Sequence, residues 1–142
     1  MAVQENADAF SVVGEVTIPT GPQAPLAGRE AIKDWLDGRA PYAVRADACL
    51  LTSEVISNSV RHAGLPSGSP LHITAAVYDD TVRVAISDHG HAGAVRRRQP
   101  DASGGYGLQI LHLIAARWGV EHDHGTRVWF DLATPHPAGP SL

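Results

Sequence analysis

The sequence predicts an α+β fold, a two-layer α/β sandwich in which helices cover one face of a mixed, largely antiparallel sheet. Residues 44–62 repeat apolar side chains at helical spacing, which predicts a long amphipathic helix. Residues 71–78 and 81–87 alternate apolar and polar side chains, and the short link between them is typical of a hairpin. Residues 126–132 alternate in the same way, which predicts a final strand.

With the remaining elements included, the predicted order along the chain is strand, helix, helix, hairpin, loop, helix and strand. Residues 10–18 alternate as a strand does, with Gly14 interrupting the pattern. Residues 26–37 carry a rough apolar stripe that ends near Gly38, which predicts a helix. Residues 105–118 begin with glycines and continue as LQILHLIAARW, which predicts the last helix.

Between the hairpin and the last helix, residues 89–104 are polar, basic and rich in glycine. This composition predicts a mobile loop. The Pro- and Gly-rich residues 135–142 predict a flexible tail. The sequence therefore predicts a single domain over residues 1–134.

The composition restricts the classes of function. The chain has 142 residues and a net charge of −4, which argues against a nucleic-acid-binding protein with a basic face. It contains no run approaching the roughly 20 apolar residues of a membrane span. A single cysteine, Cys49, and an N-terminus without a secretion signal favour a cytoplasmic location.

The first candidate site residues lie in the segment SEVISNSVRH. Glu54 and Asn58 are four residues apart, so a helix places them on one face, and His62 follows one turn later. An amide oxygen is a hard ligand suited to Mg²⁺. A carboxylate beside it can accept a proton from an attacking hydroxyl. The alternative interpretation of this pair is a solvated polar helix face.

A second group follows the strand that ends in SDHGHAG. Asp88 directly follows the predicted strand, and Gly90 and Gly93 come after it. A carboxylate at a strand end can accept a hydrogen bond from an exocyclic amine, and glycines let a ligand ring approach the backbone closely. An ordinary turn built around the aspartate is the alternative.

A third group opens the last helix. Gly105, Tyr106, Gly107 and Leu108 place free backbone N–H groups at a helix start, where an anion such as phosphate is favoured. The segment lacks the GK[ST] ending of a P-loop and no strand directly precedes it, which disfavours both the P-loop and the Rossmann folds. Later in the chain, Thr126 begins a strand where its hydroxyl can reach an adenine ring.

In this order, the segments resemble the conserved boxes of the gyrase, heat-shock chaperone, histidine-kinase and mismatch-repair ATPase superfamily, which has a Bergerat-type ATP-binding fold. The asparagine box matches at Glu54, Asn58 and His62. The glycine boxes and the closing strand match at positions 88, 90, 105, 107, 108, 125 and 126. The resemblance implies that ATP and Mg²⁺ bind, that residues 89–104 form the ATP lid, and that Asn58 holds the metal.

Within the superfamily, the small size and short lid are similar to the anti-sigma-factor serine kinases. That resemblance implies that Asp88 bonds the adenine amino group and that Glu54 acts as base toward a serine of an antagonist (anti-anti-sigma) protein. It further implies that the chain sequesters a sigma factor and forms a homodimer. The family pattern D-x-G-x-G reads DHGHAG here, with Ala92 in the second glycine's place and Gly93 one residue late. The alternative function is therefore a non-catalytic regulator that binds ATP or protein partners.

Overall fold

The computed structural model describes residues 10–62, 64–88, 106–122 and 124–135. The elements in these ranges are β1 (Ser11–Pro19), α1 (Ala24–Leu36), α2 (Tyr42–His62), β2 (Pro70–Tyr78), β3 (Thr81–Asp88), α3 (Tyr106–Ile114), β4 (Arg117–His122) and β5 (Thr126–Ala133). The segment predicted as a loop, residues 89–104, and residues 136–142 of the predicted tail lie outside the described ranges.

The five strands form one sheet in the order β1-β2-β3-β5-β4, and every described pair of neighbours is antiparallel. The registers align apolar positions across the sheet, because Ile73 lies opposite Ile86 and Val84 lies opposite Phe130. Since side chains alternate between faces, this alignment gives one continuous apolar face. The three helices cover that face, so the predicted α+β two-layer sandwich is confirmed.

Helices α1 and α2 pack against each other and against the sheet because each buries one stripe. The stripe of α1 contains Ala24, Gly28, Ile32 and Leu36, spaced four residues apart. That of α2 includes Ala48, Leu51, Val55 and Ile56, which are at most 3 % exposed. Both helices begin two residues before the predicted starts at 26 and 44.

The prediction that the last helix extends to residue 118 is wrong. Helix α3 ends at Ile114, and residues 117–122 form the edge strand β4, which the sequence reading missed. The change occurs at consecutive amides: Ala115 N donates to Leu111 O inside the helix, but Ala116 N donates to Asp131 O of β5. Trp118 then lies opposite Phe130, so pairing with β5 stabilises a strand where the helical pattern continues.

Gly14 lets the indole of Trp35 pack directly on β1. A Cβ built on Gly14 overlaps the Trp35 ring system. The same strand carries a β-bulge here, because its register with β2 shifts between Val12 and Gly14. The glycine therefore fixes how closely α1 approaches the sheet.

We expect Gly14→Ala to lower the free energy of unfolding by about 1–3 kcal/mol, because Trp35 must move and the helix with it. Gly21→Ala is the matched control, since nothing lies within 4 Å of an added Cβ there. Urea denaturation of both variants measures the difference. Equal stability of the two would contradict the packing role of Gly14.

The sheet face opposite the helices carries a network of charged side chains. Arg83 donates two hydrogen bonds to Asp131, from Nε to Oδ1 at 2.7 Å and from Nη2 to Oδ2 at 2.9 Å. Arg117 Nη2 lies 3.2 Å from Oδ2 of the same carboxylate, whose side chain is only 1 % exposed. The Arg83 guanidinium also lies 4.6 Å from the ring centres of Phe10 and Trp129. The hydrogen bonds to Asp131 raise the pKa of Arg83, so the guanidinium stays charged.

Candidate functional site

The end of the sheet where β3 stops and β5 starts brings two predicted site residues into contact. Thr126 N donates a hydrogen bond to Asp88 Oδ1 at 3.2 Å, across 38 positions of sequence. Asp88 lies opposite Leu71, and Thr126 is two residues before Val128, so both belong to the helix-covered face. The backbone of β5 thereby orients the Asp88 carboxylate at the edge of the core.

The hydroxyl of Thr126 has a neighbour that the sequence reading missed as a site residue. His122, its partner across the β4–β5 hairpin, places Nδ1 at 3.4 Å from Thr126 Oγ1. The hairpin turns through His124 and Gly125, both with positive φ, of 66° and 131°. Sequence reasoning could not find this contact, because a helix predicted to run to residue 118 leaves no strand that would place His122 beside Thr126.

Helix α2 supplies the next two site residues. Glu54 and Asn58 are one turn apart and both half-buried, on a helix that packs against β3, β5 and α3. Helix α2 thus covers β3, which ends at Asp88, and β5, which begins at Thr126. Its apolar stripe faces the core, so the acid and the amide flank that stripe.

The side-chain oxygen of Asn58 is buried, yet no hydrogen-bond partner lies within reach in the described structure. A buried acceptor left unpaired costs about 1–3 kcal/mol. Such an atom is suited to a ligand that supplies what the protein does not, and a carboxamide oxygen is among the oxygen donors that Mg²⁺ and Ca²⁺ accept. The residue therefore fits the metal that the sequence resemblance implies.

The oxygen Thr52 Oγ1, six residues earlier on α2, is also buried without a partner among the described residues. Its surroundings differ from those of Asn58, because Thr52 is 0 % exposed and its methyl group faces Gly28 of α1. It lies inside the contact between the two helices, where no ligand has access. Of these two oxygens without a described partner, Asn58 Oδ1 is therefore the one on a half-buried residue.

The remaining predicted site residues are placed only in part. His62 is the last residue of α2, and Tyr106, Gly107 and Leu108 form the start of α3. The first turn of a helix has N–H groups without intrahelical partners, and the anion-binding role expected there stays a prediction. Predicted residues Gly90, Gly93 and Gly105 lie outside the described ranges, so their roles stay predictions.

Comparison with known proteins identifies the class. The family model described as histidine kinase-like ATPase domain matches residues 23–132, more than half of the chain. The chain belongs to this family, which implies ATP binding and confirms the predicted superfamily.

Among solved structures, the chain is similar to the RsbU and RsbW domains of Rv1364c from Mycobacterium tuberculosis. The TM-score is 0.67 at 20 % identity, over 88 % of this chain and 34 % of that one. The chain thus spans about a third of the solved chain, and the likeness shows the fold. No curated protein matches the sequence. Among the described residues, no helix combines the length and apolar character needed to cross a bilayer.

Proposed function

We propose that this chain is a cytoplasmic protein serine kinase of the anti-sigma-factor type, which uses Mg²⁺-ATP to phosphorylate an antagonist protein. The observation that carries the proposal is the Asn58 oxygen, one turn from Glu54, which is buried and has no hydrogen-bond partner in the part of the chain that the structure describes. Membership of the histidine kinase-like ATPase family supports ATP as the phosphoryl donor. The similar fold of a chain described as containing an RsbW domain supports the regulatory subclass.

Adenine recognition is assigned to Asp88. Its carboxylate would accept a hydrogen bond from the exocyclic amino group of the base, while Thr126 N–H holds Oδ1 in place. Because the carboxylate is already oriented, less side-chain entropy is lost when the base binds. The hydroxyl of Thr126 would contact the ring from the neighbouring strand.

Asn58 Oδ1 would hold Mg²⁺ at the phosphates, and the metal, when bound, neutralises phosphate charge. The N–H groups at the start of α3, together with Gly105, would face the phosphate oxygens. These contacts position the nucleotide, and positioning with charge neutralisation is most of what phosphoryl transfer requires.

Glu54 would accept the proton of the attacking serine hydroxyl. In the transfer step, the serine oxygen forms a bond to the γ-phosphorus as the bond from that phosphorus to the bridging oxygen breaks. ADP leaves, the proton passes to Glu54, and the antagonist protein carries a phosphoserine. The new phosphate adds about two negative charges at the interface, which favours dissociation of that partner. The released chain would then bind a sigma factor.

We expect Glu54→Gln to keep ATP affinity within about threefold and to reduce phosphoserine formation by about 10²–10⁴-fold, the usual contribution of a general base. The measurement pairs calorimetry of ATP binding with transfer from labelled ATP to a purified antagonist protein. Asp47→Asn, two turns earlier on the same helix, is the control and should transfer at the parent rate. A Glu54→Gln variant as fast as this control would rule Glu54 out as the base.

A non-catalytic partner-switch regulator is the second candidate, favoured by Ala92 in place of the second glycine of the D-x-G-x-G pattern. The two candidates differ in one result. ATP binding without phosphoserine on a verified antagonist partner would support the regulator and exclude the kinase.

A further inference from the structure

Strand β4 is one of the two outer strands of the sheet. It pairs with β5 along one side, and no described strand lies along the other. Its register with β5 runs without a shift from Arg117 to His122, whereas β1, the other outer strand, is interrupted by its bulge. An antiparallel strand turns alternate backbone amides to each side, so the regular outer side of β4 can pair with a further strand.

The charges of β4 complement themselves when the strand is read in the opposite direction. The segment RWGVE begins with Arg117, ends with Glu121 and has Gly119 at its centre. Two copies of β4 can therefore pair antiparallel about Gly119, and each arginine then lies directly opposite the glutamate of the other copy. Cross-strand partners have Cβ atoms about 5 Å apart, and opposite charges in such pairs are stabilising. A twofold axis repeats the contact, so one pairing forms two ion pairs.

Both charged side chains remain accessible to a second chain. Arg117 is 66 % exposed, although its Nη2 lies 3.2 Å from Asp131 Oδ2. Glu121 is 56 % exposed, although its Oε1 lies 3.1 Å from Arg127 Nη1. A guanidinium has five N–H donors and a carboxylate has two oxygens, so each group can keep its present contact and form another.

The same pairing joins apolar side chains on the helix-covered face. Trp118 lies on that face opposite Phe130, and Trp118 and Val120 both pack against the core while remaining partly exposed. In the paired strands, Trp118 of one copy lies opposite Val120 of the other. Helix α3 contacts β4, and its Leu113 is 81 % exposed. A twofold axis perpendicular to the sheet brings the two α3 helices towards the join on one face, where this apolar surface can be buried.

Glycine at the centre of β4 makes room for an aromatic ring near the axis. A Cβ added to Gly119 would lie 2.8 Å from Trp129 Nε1, so the Trp129 indole lies across β4 from β5. Because Gly119 is the residue on the twofold axis, the indoles of the two copies would flank that axis. Aromatic pairs contribute to stability beyond the area that they bury.

We propose that two copies of this chain pair along β4 about Gly119, which joins two five-stranded sheets into one continuous antiparallel sheet. The occupant of this edge is a second copy because the charges, the apolar residues and the central glycine of β4 each find their match in β4 itself. A sheet of about ten strands is within the range that proteins form. The pairing involves no residue assigned to the nucleotide, so it goes beyond the proposed kinase activity.

The test uses two charge-reversal variants of the full chain, Arg117→Glu and Glu121→Arg. Each variant alone places like charges opposite each other across the axis, so we expect each to dimerise at least about tenfold more weakly than the parent. An equimolar mixture restores opposite charges at both positions, and we expect it to form a heterodimer with about the parent affinity. Sedimentation velocity over a range of protein concentrations measures the parent, the variants and the mixture.

Glu15→Arg is the matched control, because it reverses an exposed glutamate on the other outer strand, and it should dimerise as the parent does. If Arg117→Glu does not fold, the comparison of Glu121→Arg with this control still decides, since only Glu121→Arg should lose affinity.

A parent chain that stays monomeric at every concentration would overturn the proposal. Charge variants that dimerise as the parent does, or a mixture of folded variants without heterodimer, would do the same. A loss confined to Glu15→Arg would assign the contact to β1 instead, and species larger than dimers would contradict pairing that closes at two copies. ATP affinity measured on the same samples reports separately on the nucleotide site.

Discussion

Arg83→Met is expected to lower the free energy of unfolding by about 3–5 kcal/mol, the usual cost of removing one partner from a buried ion pair. The Asp131 side chain is 1 % exposed, so its carboxylate depends on protein partners, and this variant removes the two hydrogen bonds that Arg83 donates to it. Methionine keeps an unbranched apolar side chain at this position, so the variant removes the guanidinium with its hydrogen bonds and its contacts with the Phe10 and Trp129 rings. Chemical denaturation measures the change.

Two further variants test the cause. Arg117 is 66 % exposed and makes one 3.2 Å contact with the same carboxylate, so Arg117→Met should cost less than about 1 kcal/mol. The double variant Arg83→Met/Asp131→Leu removes both charges and should regain most of the lost stability. If Arg83→Met and Arg117→Met were equally mild, the Asp131 carboxylate would not depend on its bidentate partner.

Asn58→Ala is expected to weaken Mg²⁺-dependent ATP binding by about 100-fold, or about 2.7 kcal/mol, while leaving the ligand-free domain at least as stable as the parent. The two results have one origin. The Asn58 oxygen is buried without a partner among the described residues, so we expect its removal to relieve a cost in the free domain and to delete a ligand in the complex. Calorimetry with ATP in Mg²⁺ and in EDTA, together with thermal denaturation, measures both effects.

Thr52→Val is the matched control for Asn58→Ala. It removes the Thr52 hydroxyl, which also has no partner among residues 10–62, 64–88, 106–122 and 124–135, and it should stabilise the domain by about 1 kcal/mol without changing ATP affinity. An Asn58→Ala variant with parental ATP affinity, or one that loses stability as an ordinary core truncation does, would remove the metal-binding role from Asn58.

The sequence allowed most of the fold to be predicted because its patterns are local. The alternation in β2, β3 and β5 and the apolar stripe of α2 each depend on residues a few positions apart. Strand β4 was missed because LQILHLIAARW continues a helical pattern through Trp118. Its conformation depends on β5, since Gly119 leaves room for the Trp129 indole, whose Nε1 would lie 2.8 Å from an added Cβ.

The candidate site could be predicted mainly from the order of its motifs along the chain. The spacing of Glu54 and Asn58 follows from helix geometry, but the hydrogen bond between Asp88 and Thr126 depends on the pairing of β3 with β5. For Asp131, the alternation pattern predicts the wrong exposure. Alternation puts it on the face away from the helices, yet it is fully buried, because Arg83 and Arg117 cover it from neighbouring strands.

The bulge between Val12 and Gly14 has a consequence for how this domain behaves in concentrated solution. β1 is an outer strand, and the unpaired amides along such a strand can recruit another chain into a growing fibre. An extra residue breaks the regular spacing that a recruited chain must match, Glu15 adds charge, and Pro19 offers no N–H at the end of the strand. We therefore expect the irregular segment at Val12–Gly14 to disfavour edge-to-edge pairing of β1 with another chain.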